Sequence, residues 1–371
     1  MRLSSRRLWP ALAVAAASIF VGLGGGSAGA ASRAGDGADG AFLALDARTK
    51  SDVWAAGWQA SGNLILPLVK HFDGSAWREV SVPSDLGEAQ IKGIAAVGRA
   101  NVWFVGELWN RDVAFALHWD GSALTEVAVP RPGLMSSLNA VSASSSGDVW
   151  AVGDYTDNLM PHKVRSLVEH WTGSAWQVVA SPNLDGPWYN ELTAVRAFGP
   201  NDVWAAGWSD YQPLVMRWNG SQWAFDSSVG GQEYDMFNAL AGPSSDDLDA
   251  IGSQHDFVAK HWDGSRWTGV ATQGPFLFGA SALPNGDIWG VGTDFVNNRT
   301  KAILIHGNGW KATRTPSPGT EPYGNILFAV DALGASNVWA AGTGDSPLIL
   351  QWTGTRWKTV FGPDALPEPS S

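Results

Sequence analysis

One six-residue phrase occurs seven times in this chain, and it constrains the fold more tightly than any other feature. It first reads Asp52-Val53-Trp54-Ala55-Ala56-Gly57, and its later copies begin at Asn101, Asp148, Asp202, Asp247, Asp287 and Asn337. Their third positions lie 49, 47, 54, 45, 40 and 50 residues apart. A self-similar, strand-rich unit of about 40–50 residues that cannot bury both faces alone is one blade of a β-propeller. The fold class expected is therefore all-β, a seven-bladed β-propeller of four-stranded antiparallel blades. A helical alternative fails, because no segment keeps an apolar stripe at helix spacing for three turns.

Each repeat divides into four strands. In the fourth, strand A is an alternating run, Leu192 to Ala197, and a turn at Phe198-Gly199-Pro200-Asn201 follows it. The phrase is strand B and ends on Gly. Strand C runs to Trp218, and Asn219-Gly220 turns the chain into strand D, Ser221 to Phe225. Asn-Gly and Asp-Gly favour tight hairpins because both central residues take positive φ. The 22 Trp then find a reason: 17 fall at repeat positions in strands B, C and D. Blades pack face to face, so large rings fill the wedges between them. With strands A to D contiguous in every blade, side-chain packing between blades one and seven closes the ring.

The order of strand A, a strand ending in Gly, a strand ending His-Trp-Asp-Gly and a Trp in the last strand resembles Kelch and galactose-oxidase-type propellers over residues 41–361. The single Gly at the end of strand B departs from the usual Kelch pair. The pattern Trp-Asp-Gly-Ser-x-Trp is also similar to tectonin-type propeller lectins.

The termini read differently. Arg2, Arg6 and Arg7 precede an uncharged apolar stretch, Ala11 to Leu23, and Ala28-Gly29-Ala30 supplies a small-x-small cleavage pattern. Residues 1–30 are expected to be a signal peptide for Sec or twin-arginine export, 31–40 a flexible linker and 362–371 a disordered tail. Secretion to the extracellular space is the localisation expected. No later run is long and apolar enough for stable membrane insertion. The chain has no Cys, which excludes disulfides and thiolate metal sites. Loss of three Arg and no acid on cleavage moves the formal charge from -11 to -14, which disfavours nucleic acid.

Function is expected on the face that carries the B–C and D–A loops, which are long and unlike one another, whereas the A–B and C–D turns are short and uniform. The aromatics outside the repeat register fall there: Trp58, Trp109, Tyr155, Trp188, Tyr189, Trp208, Tyr211, Tyr234 and Tyr323. Glu107, Asp112, Asp154, Asp157, Asp185, Asp210, Glu233, Asp235 and Asp256 accompany them. Flat rings beside carboxylates suit a glycan or protein ligand. The reading is a monomeric, non-enzymatic binding module without metal or cofactor. A glycan-active or other hydrolytic enzyme is the alternative, to be recognised by paired carboxylates on this face. No nucleophile elbow, zinc-protease motif or phosphate loop occurs.

Three repeat features read as structural. His71, His118, His170 and His261 share one position in successive blades and do not converge. The Asp/Asn heading each strand B reads as a cap for backbone N–H groups in the A–B turn. Asp249 stands where other strands B have Trp, near Gln254, His255 and Asp256, and its spacing matches no metal motif.

Overall fold

The computed structural model describes residues 39–157, 163–184, 188–210, 212–230, 235–253, 257–270, 275–307, 309–320 and 324–363. Seven four-stranded antiparallel sheets each run A-B-C-D in chain order, and no strand is exchanged between sheets. The first strand is Gly40–Thr49 and the last is Trp357–Phe361. The expected signal segment, most of the linker and nearly all of the tail lie outside the described residues. The only helical element among those described is a 3-10 turn, Ser227–Val229.

Strand B does not end on its Gly. In blade four it spans Asp202–Ser209, with Gly207 inside it. The glycine answers to its neighbour strand. Strand A of that blade, Asn190–Gly199, carries a register shift between Leu192 and Ala194. This bulge drives a carbonyl toward strand B, so a Cβ on Gly207 would sit 2.0 Å from the Glu191 oxygen. The same clash, at 1.7–2.0 Å, meets a Cβ at Gly57, Gly106, Gly153, Gly252, Gly292 and Gly342. Each repeat glycine therefore marks a bulge in the strand beside it.

The wedges are filled as expected, with one exception. The six strand-B Trp are 1–2% exposed. Each of five strand-D Trp meets the strand-B Trp of the preceding blade edge to face: Trp77 on Trp339, Trp176 on Trp103, Trp223 on Trp150, Trp267 on Trp204 and Trp357 on Trp289, at 5.2–5.9 Å. Trp310 was expected to do the same, but it is 37% exposed. Its partner position is Asp249, which offers no ring. The core between blades five and six is accordingly aliphatic, built from Ala241, Ile251, Ala259, Val270, Leu277, Ile288, Ile303 and Ile305.

The acids heading strand B do something other than cap the turn. Asp52 Oδ1 accepts from Trp54 Nε1 at 3.1 Å and lies 2.8 Å from His71 Nε2. Asp148 Oδ1 repeats this with Trp150 at 3.0 Å and His170 at 2.6 Å. Each histidine stacks on its Trp, at 4.1 and 4.0 Å. A buried indole N–H thus gains an acceptor and the histidine is held inside its own blade. The correction is that backbone capping belongs to the C–D turns, where Asp73, Asp120, Asn219 and Asp263 take the N–H groups two and three residues on.

The ring closes with a side chain as well as with packing. Asp331 of blade seven accepts from the Ala47 N–H of blade one at 2.8 Å. Asp46 likewise takes the Ala96 N–H at 2.9 Å, and Ser142 that of Ala197 at 3.0 Å.

Gly207→Ala is expected to cost about 3 kcal/mol, because the clash is with backbone and cannot be relieved by a rotamer. Gly199→Ala, where a Cβ meets nothing within 4 Å, should be near neutral. Trp204→Ala should cost about 3–5 kcal/mol through the cavity it leaves. Urea unfolding of the three variants checks the order, and equal losses at Gly207 and Gly199 would remove the bulge explanation.

Candidate functional site

The bulges do more than demand glycine. In each blade the extra residue of strand A turns its side chain into the central channel. These residues are Leu43, Lys92, Asn139, Thr193, Asn238, Phe278 and Phe328, and all seven line one cavity of about 800 Å³. Each stands fourteen positions before its blade's glycine. A bulge re-aims a side chain without ending the strand, so one structural device presents seven variable residues around one axis.

The ring has two halves. Blades two to five contribute Lys92, Asn139, Thr193 and Asn238; blades six, seven and one contribute Phe278, Phe328 and Leu43. On the polar side, hydrogen bonds run from blade to blade. Asn139 Nδ2 donates to the Leu192 carbonyl at 3.1 Å, Thr193 Oγ1 to that of Phe237 at 2.5 Å, and Asn238 Nδ2 to that of Leu277 at 2.8 Å. On the apolar side, Phe278 and Phe328 lie 5.5 Å apart.

Carboxylates gather over the polar half. Glu107 and Asp154 come from the ends of strands B in blades two and three, and Glu191 from the start of strand A in blade four. Lys92 Nζ donates to Glu107 at 2.9 Å, to Ser137 Oγ at 2.8 Å and to Asn139 Oδ1 at 3.3 Å. Asn139 Nδ2 lies 3.3 Å from Asp154 Oδ1 and 3.3 Å from Glu191 Oε1, so these two oxygens are no more than twice that distance apart. Burial pushes Asp154 up to about 6, against the pull of Lys92, and Glu107 adds to the rise. Burial, then the Asp154 charge, pushes Glu191 up to about 8.

The nine aromatics expected at the site divide. Tyr189 and Trp208 line the cavity, with rings stacked 5.9 Å apart at 12°. Trp188 stands beside them, 52% exposed. Asp210 fixes this pair by accepting from the Trp188 and Tyr189 N–H groups at 2.8 and 2.9 Å. Three placements are corrected. Trp58 and Trp208 are buried within strands B, not in loops, since those strands continue past their glycines. Tyr155 also lies in a strand B and packs against the core between blades two and three. Trp109 is half-buried at the B–C turn of blade two. Trp58, Trp109 and Tyr155 do not line the cavity. Tyr211, Tyr234 and Tyr323 lie outside the described residues, as do Asp185, Glu233, Gln254, His255 and Asp256.

Exposed apolar side chains occur on the same loop face. Leu134, Met135, Leu184, Trp188 and Tyr189, all on connections into blades three and four, are 37–52% exposed. Met135 and Tyr189 also reach the cavity wall.

One group on the opposite face has atoms suited to a metal ion: Asp247, Asp249 and His261, within 4.8 Å of one another. His261 Nδ1 is 3.1 Å from Asp249 and 3.9 Å from Asp247. The Asp249–His261 bond stands in for the Trp–His stack of other blades. Burial raises Asp249, and its hydrogen bond raises His261.

Glu191 gives the site a pH signature. A carboxyl raised in the fold from 4.5 to about 8 stabilises the folded chain below its unfolded pKa, and that contribution is lost as pH rises through about 8. Glu191→Gln removes the charge at similar shape. Its melting temperature relative to the parent should therefore climb between about pH 5 and pH 8. A difference independent of pH would show that Glu191 titrates normally.

No protein-family profile matches the chain, and no curated protein does. Among solved structures, it is similar to the WD40 β-propeller domain of Doa1, at 15% identity over 85% of this chain and 93% of that one, with a TM-score of 0.59. It is similar to a protein of unknown function from Dyadobacter fermentans DSM 18053, at 13% identity over 88% and 94%, TM-score 0.53. It is also similar to YCF48 bound to D1 peptide, at 17% identity over 73% and 82%, TM-score 0.50. At these identities the likeness establishes the fold, a seven-bladed β-propeller.

Proposed function

We propose that this chain is a secreted binding module that takes a protein segment at the channel mouth on its B–C and D–A loop face. The carrying observation is that Met135 and Tyr189, both exposed, line the 800 Å³ cavity, with the exposed Leu134 and Trp188 next to them in the chain. Exposed apolar side chains gathered beside a concave site mark an interaction surface. Trp188 and Tyr189 would also suit the C–H face of a sugar. Leu134, Met135 and Leu184 have nothing to offer hydroxyl groups, which favours protein over glycan. YCF48, a structural neighbour, is described with a bound peptide. The seven-bladed architecture and the His-Trp-Asp-Gly pattern support a relation to Kelch-type or tectonin-type propellers as part of the same proposal.

Hydrolysis of a glycosidic bond is a second reading with one observation in its favour. Asp154 and Glu191 form a close carboxylate pair, and Glu191 keeps its proton up to about 8, as a general acid must. Release of reducing ends from a glycan panel, abolished by Glu191→Gln, would support it.

Peptides selected from a random display library on the mature protein test the first reading. Trp188→Ala and Met135→Ser should each weaken the selected peptides by about 1–2 kcal/mol without moving the melting temperature. Trp208→Ala, which removes a ring only 7% exposed, should lower the melting temperature. Peptides indifferent to both rim variants would place binding elsewhere.

Secretion rests on Arg2, Arg6, Arg7, the stretch Ala11 to Leu23 and Ala28-Gly29-Ala30. Mass spectrometry of protein from the medium should show a start near Ala31; an intact Met1 there would refute the signal.

A further inference from the structure

We infer that the ligand is anchored in the channel mouth by one cationic side chain, an arginine or lysine, whose head lies between Asp154 and Glu191 and whose aliphatic stem lies along Phe278, Phe328 and Leu43. This rests on the binding reading above and names the chemical class of its anchor.

The first argument is a count of donors. Lys92 is committed to Glu107, Ser137 and the Asn139 carbonyl oxygen. Among the described residues, the side-chain donor shared by Asp154 and Glu191 is the Asn139 amide. That nitrogen has two hydrogens and three acceptors in reach: Asp154, Glu191 and the Leu192 carbonyl. Both contacts to the acids are long for charge-assisted bonds, at 3.3 Å. Once Glu191 has lost its proton, the site therefore has an excess of acceptors. A guanidinium brings five N–H donors and an ammonium three, so either supplies what the pocket lacks.

The second argument is charge. With Glu191 ionised, Glu107, Asp154 and Glu191 are three carboxylates facing one cation, Lys92, across this wall. An anion is repelled. A neutral donor satisfies the hydrogen bonds and leaves the charge excess in place. A cation does both, and partial burial strengthens the attraction.

The third argument is shape and is independent of the acids. In ring order, Phe278 and Phe328 belong to blades six and seven, opposite Asn139 and Glu191 in blades three and four. A long side chain with a charged head and an apolar stem fits a channel whose two halves differ in this way. The aromatic faces also attract a cation passing them.

The groups facing the head are Lys92, Glu107, Asp154 and Glu191, with the neutral Ser137 and Asn139. Guest binding therefore displaces the proton that Glu191 holds below about pH 8. Affinity should fall as pH drops below that value, levelling off about tenfold down when Glu191 is neutral, until Asp154 adds a further fall near pH 6.

The test uses propylguanidinium, the head of an arginine side chain, and propylurea, its neutral isostere, each titrated into the mature protein and followed by amide NMR. Saturable shifts confined to the surroundings of Lys92, Asn139 and Glu191 are expected with propylguanidinium only. They should weaken as pH falls from 8 to 6, and weaken about tenfold in Glu191→Gln and in Asp154→Asn, whose melting curves confirm folding. Equal binding of propylurea would overturn the cationic anchor and leave the binding reading standing. No saturable response to propylguanidinium, or a response unchanged in both variants, would also overturn it. Failure of the binding reading shows separately, in peptides indifferent to the Trp188 and Met135 variants.

Discussion

A carbonyl oxygen of strand A presses on strand B once in every blade, and most of the architecture follows from that contact. A Cβ at the contact would lie 1.7–2.0 Å from the oxygen, so only glycine is tolerated there. The carbonyl comes close because strand A is bulged. The bulge inserts one residue that pairs with nothing across the sheet and turns its side chain to the axis. Steric necessity in the sheet and chemical variety in the channel are therefore two results of one local distortion. Strand B keeps its glycine for packing reasons in every blade. The channel residue is free to be Lys, Asn, Thr, Phe or Leu, because nothing in the wedge depends on it.

The wedges show the opposite economy. Their rings are nearly uniform because each one is a partner for the next blade's rings, so changing one changes a joint. Blade five illustrates the rule. With Asp249 in place of Trp, the next blade's Trp310 loses its edge-to-face partner and moves into solvent. The joint falls back on aliphatic packing, and His261 exchanges a ring stack for a carboxylate bond. Ring closure follows the same neighbour logic, with Asp331 serving Ala47 as Asp46 serves Ala96.

The fold was legible because its signals are periodic: seven phrases, Gly-containing turns and Trp at fixed stations. The site was legible only in outline. The loop face, Glu107, Asp154, Tyr189 and Trp208 were visible as residues without a repeat role. Trp58 and Trp208 were misplaced because the glycine reads as a strand end, whereas it marks contact with a bulge. Lys92, Asn139, Thr193 and Asn238 were missed because they sit inside strand A, where alternation makes them look like ordinary pleat residues. Their signal was present: each lies fourteen positions before a glycine and varies widely, while the residue before it is Phe, Ile or Leu and the one after it Ala or Gly. Glu191 has no sequence signal of its own: its raised pKa comes from burial and from Asp154 of another blade, a pairing that no linear spacing displays.

The channel mouth is costly to the fold in a way the wedges are not. Burying Asp154 and Glu191 together holds both above the ordinary carboxylate range. A chain selected for ring stability alone would place neutral groups there, as it does at Thr193 and Asn238. Lys92 offsets part of the cost by pairing with Glu107, and Asn139 is stretched between the other two acids. Such a cluster sits on a rigid rim: Asp210 clamps the Trp188 and Tyr189 amides, and the bulge ring holds its members by blade-to-blade bonds. Groups that oppose stability, held in place by groups that supply it, are the pattern expected of a surface kept for use. At the channel mouth those acids come from blades two, three and four. Phe278, Phe328 and Leu43 complete the same ring with apolar surface, so the two halves of the channel present different chemistry to whatever enters it.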